Sequence, residues 1–271
     1  MLGGKFKMEI LVCIKQVPDD SVEVKFNVEK GSAVIDEITR VVNAFDTYSL
    51  EMATRFKEAI GGNITVVSIG EEKVKDAIRS ALSVGADKGF AAIDEEFIGS
   101  DTIGISYILA KAAKKIEDIN GVKFDVIFCG QEATDFTSGQ VGQQLAEILN
   151  YGQITNIVDI ESIDKGISAK QETEEGYRVV EGEIPVVVTV SKPNYEPRYP
   201  TMKAKMAARK MEIPVLTVDD LDIEKDKVGE KGAVIKVIKN FAPAKKSAGV
   251  KMKEEDAVVK AVKLMADASV L

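Results

Sequence analysis

Three apolar runs, residues 9–15, 63–70 and 124–129, each lead into an amphipathic helix, directly or through a short hairpin, and this alternation constrains the fold more than any other feature. Glu9-Ile10-Leu11-Val12-Cys13-Ile14-Lys15 is a nearly unbroken apolar stretch, the pattern of a strand buried on both faces, and Pro18-Asp19-Asp20 ends it. Val22–Phe26 and Ser32–Ile35 are predicted to pair as a hairpin across Glu29-Lys30-Gly31. Beyond Asn43, a candidate N-cap, Phe45, Tyr48, Met52, Phe56, Ala59 and Ile60 recur every three or four residues and predict a helix stopped by Gly61-Gly62. Asn63–Gly70 is the second strand. Val74, Ala77, Ile78, Ala81 and Leu82 mark a second helix closed by Gly85, residues 89–93 a short strand, and a third helix runs from Ser100-Asp101 to about Glu117. Strand–helix units in series predict an α/β fold, a parallel sheet with helices on both faces.

Such sheets bind ligands at the carboxyl ends of their strands. Three ends qualify: Ile14 to Pro18, Ser68 to Glu71, and Cys129 to Gly142. The last is the most informative. Phe124–Cys129 opens through Gly130-Gln131-Glu132-Ala133-Thr134-Asp135-Phe136-Thr137-Ser138-Gly139-Gln140-Val141-Gly142 into a helical pattern at Leu145–Leu149. A buried strand that passes through small and hydroxylated residues into a helix presents free N–H groups and a positive dipole end to an anion, which points to a nucleotide phosphate. Backbone donors at Ser138 to Val141 are the expected phosphate contacts.

After residue 151 the pattern changes. Ile154–Ile160, Gly166–Gln171, Tyr177–Glu181 and Val186–Val190 read as strands of a β-meander, residues 219–252 lack clear periodicity, and a last helix follows Glu254-Glu255-Asp256. The expected organisation is a nucleotide-binding domain over 1–218 and an extended C-terminal arm over 219–271 that packs on another subunit. The residues before Met8 read as a ragged start or an extension and are given no role.

Exclusions narrow the chemistry. A net charge of −8 argues against general nucleic-acid binding. No apolar run approaches the roughly 18 residues of a membrane span, and no signal-peptide core precedes the first strand. With no histidine, activation of a Ser or Cys nucleophile by His and histidine-ligated metals are excluded, and Cys13 and Cys129 are too few for a zinc or iron–sulfur site. Both cysteines read as inert core thiols of a cytoplasmic protein. No metal site and no catalytic side chain are expected; redox chemistry here requires a bound organic cofactor. Neither a G-x-x-x-x-G-K-[ST] loop nor a G-x-G-x-x-G turn is present.

Five blocks, in order, resemble the beta subunit of electron-transfer flavoproteins: Cys13-Ile14-Lys15-Gln16-Val17-Pro18-Asp19, Val42-Asn43-Ala44-Phe45-Asp46, Ala81–Asp87, Gly130–Gly142 and Glu196-Pro197-Arg198-Tyr199-Pro200. The resemblance implies a Rossmann-like nucleotide fold and a heterodimer with an FAD-bearing alpha subunit. It assigns cofactor contacts to Ile14, Lys15, Gln16, Val17, Pro18, Asn43, Asp46, Gly70, Gly130, Glu132, Ala133, Asp135, Thr137, Ser138, Gly139, Gln140, Val141 and Gly142. In simple carriers of this family the pocket holds AMP. In the electron-bifurcating branch it holds a second FAD that takes a hydride from NADH, with ferredoxin or flavodoxin and a flavin-dependent dehydrogenase, acyl-CoA or lactate-type, as the two acceptors. The loop ends in Gln140-Val141-Gly142, the bifurcating pattern, where AMP-binding members usually have Gln-Thr-Gly; Val141 lacks the hydroxyl that would bond a terminal phosphate. Cys13–Pro18 also suits that branch. Gln131, Phe136 and Thr137 depart from it, replacing a base, a Gly or Asp, and an acidic residue. FAD is therefore the expected cofactor, with AMP the alternative and NAD(H) a transient substrate. Tyr199, Met202, Lys203, Lys205 and Met206 match the family's docking segment for its dehydrogenase, basic in a chain that is acidic overall.

Overall fold

The computed structural model describes residues 7–27, 29–35, 37–242, 244 and 249–270. Residues 1–6, the predicted extension, lie outside them. The chain forms two compact units, Met1–Lys25 with Val34–Ile238, and Phe26–Ala33 with Lys239–Leu271.

The first unit is built on a nine-stranded sheet. Strand β1 (Met8–Cys13) is followed by the short strands β2 (Gln16–Pro18), β3 (Lys25–Asn27), β4 (Ser32–Val34) and β5 (Arg40–Val42), then by α1 (Ala44–Ile60), β6 (Gly62–Ile69), α2 (Val74–Leu82) and β7 (Lys88–Ala92). Next come α3 (Thr102–Asn120), β8 (Val126–Gly130), α4 (Val141–Leu149), β9 (Gly152–Ile163), β10 (Gly166–Thr173), β11 (Gly176–Glu183), β12 (Val186–Val190), α5 (Met202–Lys210) and β13 (Val215–Leu216). The strand order is β11-β10-β9-β12-β8-β1-β6-β7-β13, parallel from β9 to β13 and antiparallel only where β10 meets β9 and β11. The α/β expectation holds.

Alternation along the central strand explains the layers. Ile10 and Val12 face one core with Leu50, Met52 and Phe56 of α1 and Val74 and Ile78 of α2. Leu11 and Cys13 face the other, with Ile108, Ala112 and Ile116 of α3 and Leu145 and Leu149 of α4. Each face is covered by helices, so β1 is apolar at every position but Glu9.

Five sequence expectations are corrected. Val186–Val190 is not a meander strand: β12 lies between β8 and β9 and runs parallel to both, so only β9, β10 and β11 meander. The hairpin pairs Lys25–Asn27 with Ser32–Val34, later than the alternation at Val22 implied, and β2 pairs with β5 where Pro18 had predicted a strand end. The buried side of α1 includes Asp46, Ser49, Glu51 and Thr54, whereas Ala59 is exposed. These polar groups are buried because each has a partner: Thr54 Oγ1 donates to the Leu50 carbonyl at 2.7 Å and Ser49 Oγ to the Phe45 carbonyl at 3.1 Å. Finally, the non-periodic stretch after 218 contributes Leu221, Ile223 and Val228 to the α3–α4 core, around a 3-10 turn at Lys225–Lys227 and α6 (Gly229–Gly232).

The second unit holds most of the β3–β4 hairpin and α7 (Ala257–Asp267), on which Val258, Val259, Val262, Leu264 and Met265 are exposed. No helix among the described residues is long and apolar enough to cross a membrane.

Candidate functional site

A cleft of about 350 Å³ opens where the carboxyl ends of β1, β6, β7 and β8 meet the first turns of α1, α3 and α4. It sits at the point where the chain order reverses, β1 leading to β6 on one side while β8 lies on the other. Ile14, Lys15, Asn43, Asp46, Gly70, Gly130, Glu132, Ala133, Ser138, Gly139, Gln140 and Val141 all line it. A larger groove, about 940 Å³, lies between α1 and β9–β10. It is walled by the carboxyl half of β9 and the Lys192–Tyr195 segment after β12, and among the described residues no glycine- and hydroxyl-rich loop opens into a helix there.

The start of α1 grips the β8 loop from two positions. Asn43 is fully buried, but its side chain does not cap the helix. Nδ2 donates to the Glu132 carbonyl at 2.8 Å and Oδ1 accepts from the Thr134 N–H at 3.1 Å, which fixes the loop instead. One turn on, Asp46 is 5% exposed, and its two oxygens accept from the Lys15 N–H at 2.7 Å and the Gly130 N–H at 3.1 Å. Its carboxyl thus ties together the ends of β1 and β8. Burial pushes its pKa up to about 7, against the opposing pull of those N–H groups, Asn43 and the Lys15 charge. Gly130 leaves no room for a Cβ, which would collide with Asp46 Oδ1 and the Phe45 backbone.

The phosphate-type loop keeps its donors free. Among the described residues, no acceptor takes the N–H groups of Ser138, Gly139, Gln140 or Val141. Thr137 (φ 46°) and Gly139 (φ 61°) turn the backbone through left-handed conformations just before α4, and left-handed residues of this kind are the building units of backbone anion cradles. Gln140 is held by its Oε1, which accepts from Thr102 Oγ1 at 3.3 Å, so the first turns of α3 and α4 are linked. Lys15 is the one cationic side chain lining the cleft among the described residues, and its Nζ pairs with Asp135 Oδ1 at 2.7 Å. These features fit a phosphate-bearing ligand held mainly by backbone donors.

Other predicted contacts lie elsewhere. Gln16 donates to the Lys73 carbonyl at 2.9 Å, and Val17 and Pro18 belong to the β2–β5 pair. Gly142 packs against Thr189 of β12, while Asp135 and Thr137 lie in the loop but do not line the cleft. Sequence reasoning missed the wall formed by Asp94, Phe97, Ser100, Asp101, Thr102 and Ile105. Its signal was available: β7 is another parallel strand whose carboxyl end leads to a helix capped by Asp101, which accepts from Ile103, Gly104, Val234 and Ile235. Burial raises the Asp101 pKa, but those four N–H groups outweigh it and hold the carboxylate ionised. Also unforeseen, Cys13 and Cys129 sit side by side on β1 and β8; the Cys129 sulfur and burial push the Cys13 thiol well up, as befits inert thiols.

Known proteins resemble the chain along nearly its whole length. The family description "Electron transfer flavoprotein domain" matches residues 32–221. The electron transfer flavoprotein subunit beta of Megasphaera elsdenii is 39% identical over 251 residues, 92% of this chain and 93% of that protein. The chain belongs to the electron-transfer-flavoprotein beta-subunit family. The corresponding subunit of Thermoanaerobacterium thermosaccharolyticum is 36% identical, covering 89% of this chain and 91% of its own length. A protein of Anaerotignum propionicum named acryloyl-CoA reductase electron transfer subunit gamma is 33% identical over 92% of this chain and 94% of its own.

A second surface of this beta subunit stands out. Thr201 caps α5, its hydroxyl accepting from the Ala204 N–H at 3.1 Å, and Tyr199, Met202 and Met206 are 93%, 73% and 60% exposed around it. The preceding segment is clamped to α1 by Arg198. Its Nε donates to Glu51 at 2.8 Å and its two terminal nitrogens reach Glu58 at 2.6 and 3.1 Å; the Arg198 N–H also bonds Glu51. Arg55, which pairs with Glu51 at 2.7 Å, stacks 3.9 Å from the Tyr195 ring centre.

Proposed function

We propose that this subunit pairs with an electron-transfer-flavoprotein alpha subunit, holds FAD in the β1–β8 cleft, and takes part in electron bifurcation or confurcation. The partners are NAD(H), ferredoxin or flavodoxin, and a flavin-dependent dehydrogenase. The observation that carries this reading is the row of unpaired N–H groups from Ser138 to Val141 beside a side chain without a hydroxyl. A pyrophosphate diester suits such donors, since it offers no terminal phosphate for a hydroxyl to bond. Bound FAD would supply hydride acceptance and one-electron transfer. This chain's part is to bind and orient: Ile14, Gly70 and Ala133 bound the cavity, Asn43 and Asp46 hold the loop, and Lys15 contributes the positive charge. No side chain is assigned a catalytic step, and the subunit alone is not expected to be active.

The acryloyl-CoA reductase relative supports an acyl-CoA-type dehydrogenase over a lactate-type one. The exposed apolar residues of α7 support packing of the C-terminal arm, beyond the stretch buried in the α3–α4 core, on the alpha subunit. One observation favours a second reading: a cleft of about 350 Å³ is at the small end of ligand sites, which suits AMP in a simple carrier. Nucleotide content of the purified alpha–beta complex decides between them. Two FAD and no AMP per pair is the expected result; one FAD and one AMP would replace bifurcation with the structural-AMP reading.

Docking through α5 has its own test. Met202→Ala removes an exposed apolar anchor and is expected to weaken dehydrogenase binding about 10–30-fold. Raising salt from about 0.05 to about 0.5 M should slow association, because Lys203 and Lys205 steer toward an acidic surface. Association rates by stopped flow would show both effects; binding indifferent to Met202 would move the docking site elsewhere.

A further inference from the structure

The cleft is poorly supplied with positive charge for a site that accepts an anion. Lys15 is the single cation lining it among the described residues, and its ammonium is engaged by Asp135 at 2.7 Å. The other titratable groups around Asp46 are Cys13 on β1, Cys129 on β8 and Glu132 on the loop, with Glu71, Asp94 and Asp101 across the cleft. Thiols aside, every one is a carboxyl. An anionic nucleotide entering here meets like charge, and like charges sharing a low-dielectric site do not both remain ionised.

The carboxyls differ in how they can respond. Asp101 is held ionised by four backbone N–H groups, and Glu71 and Glu132 reach solvent. Asp46 is enclosed, fixed at both oxygens by the Lys15 and Gly130 N–H groups, and it has no cationic side chain bonded to it. We propose that nucleotide binding in this cleft is coupled to uptake of one proton from solvent by Asp46, so that this buried carboxyl neutralises itself when the phosphate anion arrives. The role rests on the nucleotide-site reading above but not on the choice between FAD and AMP. Asp46 acts as a positioning residue: it works through the β1 and β8 backbone and through its charge.

The sign is fixed by linkage. The free carboxyl titrates at about 7, and a nearby anion raises that value. Proton uptake is therefore largest just above neutrality, and affinity weakens as pH rises, by up to about tenfold per unit. Well below neutrality Asp46 is already protonated and the dependence flattens.

The test uses the alpha–beta complex stripped of its beta-site nucleotide, titrated calorimetrically with FAD and separately with AMP at about pH 7.5, in buffers of different ionisation enthalpy. The expected result is a net uptake of up to about three-quarters of a proton per nucleotide in the wild type, and none in Asp46→Asn, whose affinity should be flat across the same pH range. Infrared difference spectra of the wild type provide a second readout that needs no variant: binding should add the C=O stretch of a protonated carboxyl. Binding without proton uptake in the wild type, or uptake unchanged in Asp46→Asn, would overturn the proposal. Failure of both nucleotides to bind the wild type would instead remove the site reading itself.

Discussion

Arg198→Ala is expected to destabilise the subunit by about 2–3 kcal/mol and to weaken docking of the dehydrogenase as well. Glu51 is 3% exposed and carries its charge in the interior because Arg198 and Arg55 face it. Removing one partner of a buried pair costs roughly 3–5 kcal/mol; Arg55 remains, so the loss falls below that range. Burial alone raises the Glu51 pKa, yet the two guanidinium groups outweigh it and hold the carboxyl below its usual range. The pH dependence follows. A lowered carboxylate pKa contributes stability that is fully present above the unfolded value and is lost as pH falls through the folded one. The deficit of Arg198→Ala should therefore be full at neutral pH and shrink once acid has protonated Glu51 in both proteins. Urea unfolding at neutral and acidic pH measures this difference. Arg198→Lys keeps the charge but not the two-sided fork to Glu51 and Glu58, so it should restore part of the stability and little of the docking rate. A deficit that does not change with pH would mean that Arg198 acts by packing alone.

This network also marks where sequence reading stopped. The parallel strands were legible because β1, β6 and β8 are predominantly apolar, and the loop after β8 was legible because Gly, Ser and Gln precede a helix. The buried polar side of α1 was not. Whether Asp46 or Glu51 is inside depends on partners far along the chain: Gly130 is 84 positions away and Arg198 is 147. Apolar periodicity carries no record of such partners, so it puts Ala59 on the buried face and leaves Glu51 off it. Asn43 holds the cap position without making a cap bond, for a related reason. Its position before α1 is that of a cap, but its side chain is spent on Glu132 and Thr134 in a loop the sequence could not bring near. The five valine- and threonine-rich residues of β12 read equally well as a meander strand or a buried parallel one; only the return of the chain between β8 and β9 decides. Of the candidate site, the chemistry of the loop was visible, while the Asp94–Ile105 wall was hidden behind an unremarked strand end.

Gly130→Ala should be the most damaging single-methyl change in the cleft, at about 2–4 kcal/mol together with loss of bound nucleotide. The backbone there is not left-handed, so the cost is one of space. A Cβ at 130 would overlap Asp46 Oδ1 and lie 2.9 to 3.0 Å from Cβ and the backbone carbon of Phe45, atoms of the first turn of α1 that cannot swing aside. Relief requires α1 to move off β8, which breaks the Gly130 N–H bond to Asp46 and slackens the grip of Asn43 on the loop. Gly139→Ala provides the contrast. Its nearest neighbour would be the Gln131 carbonyl at 3.6 Å, so nothing is crowded, and the cost is the roughly 1 kcal/mol of a left-handed alanine. Chemical denaturation and nucleotide content of the complex separate the two mechanisms. A cycle with Asp46→Ala tests the assignment directly: shortening Asp46 makes room for the new methyl, so Gly130→Ala should cost less in that background by about 1 kcal/mol or more. Equal costs in both backgrounds would show that the collision with Asp46 is not what excludes a side chain at position 130.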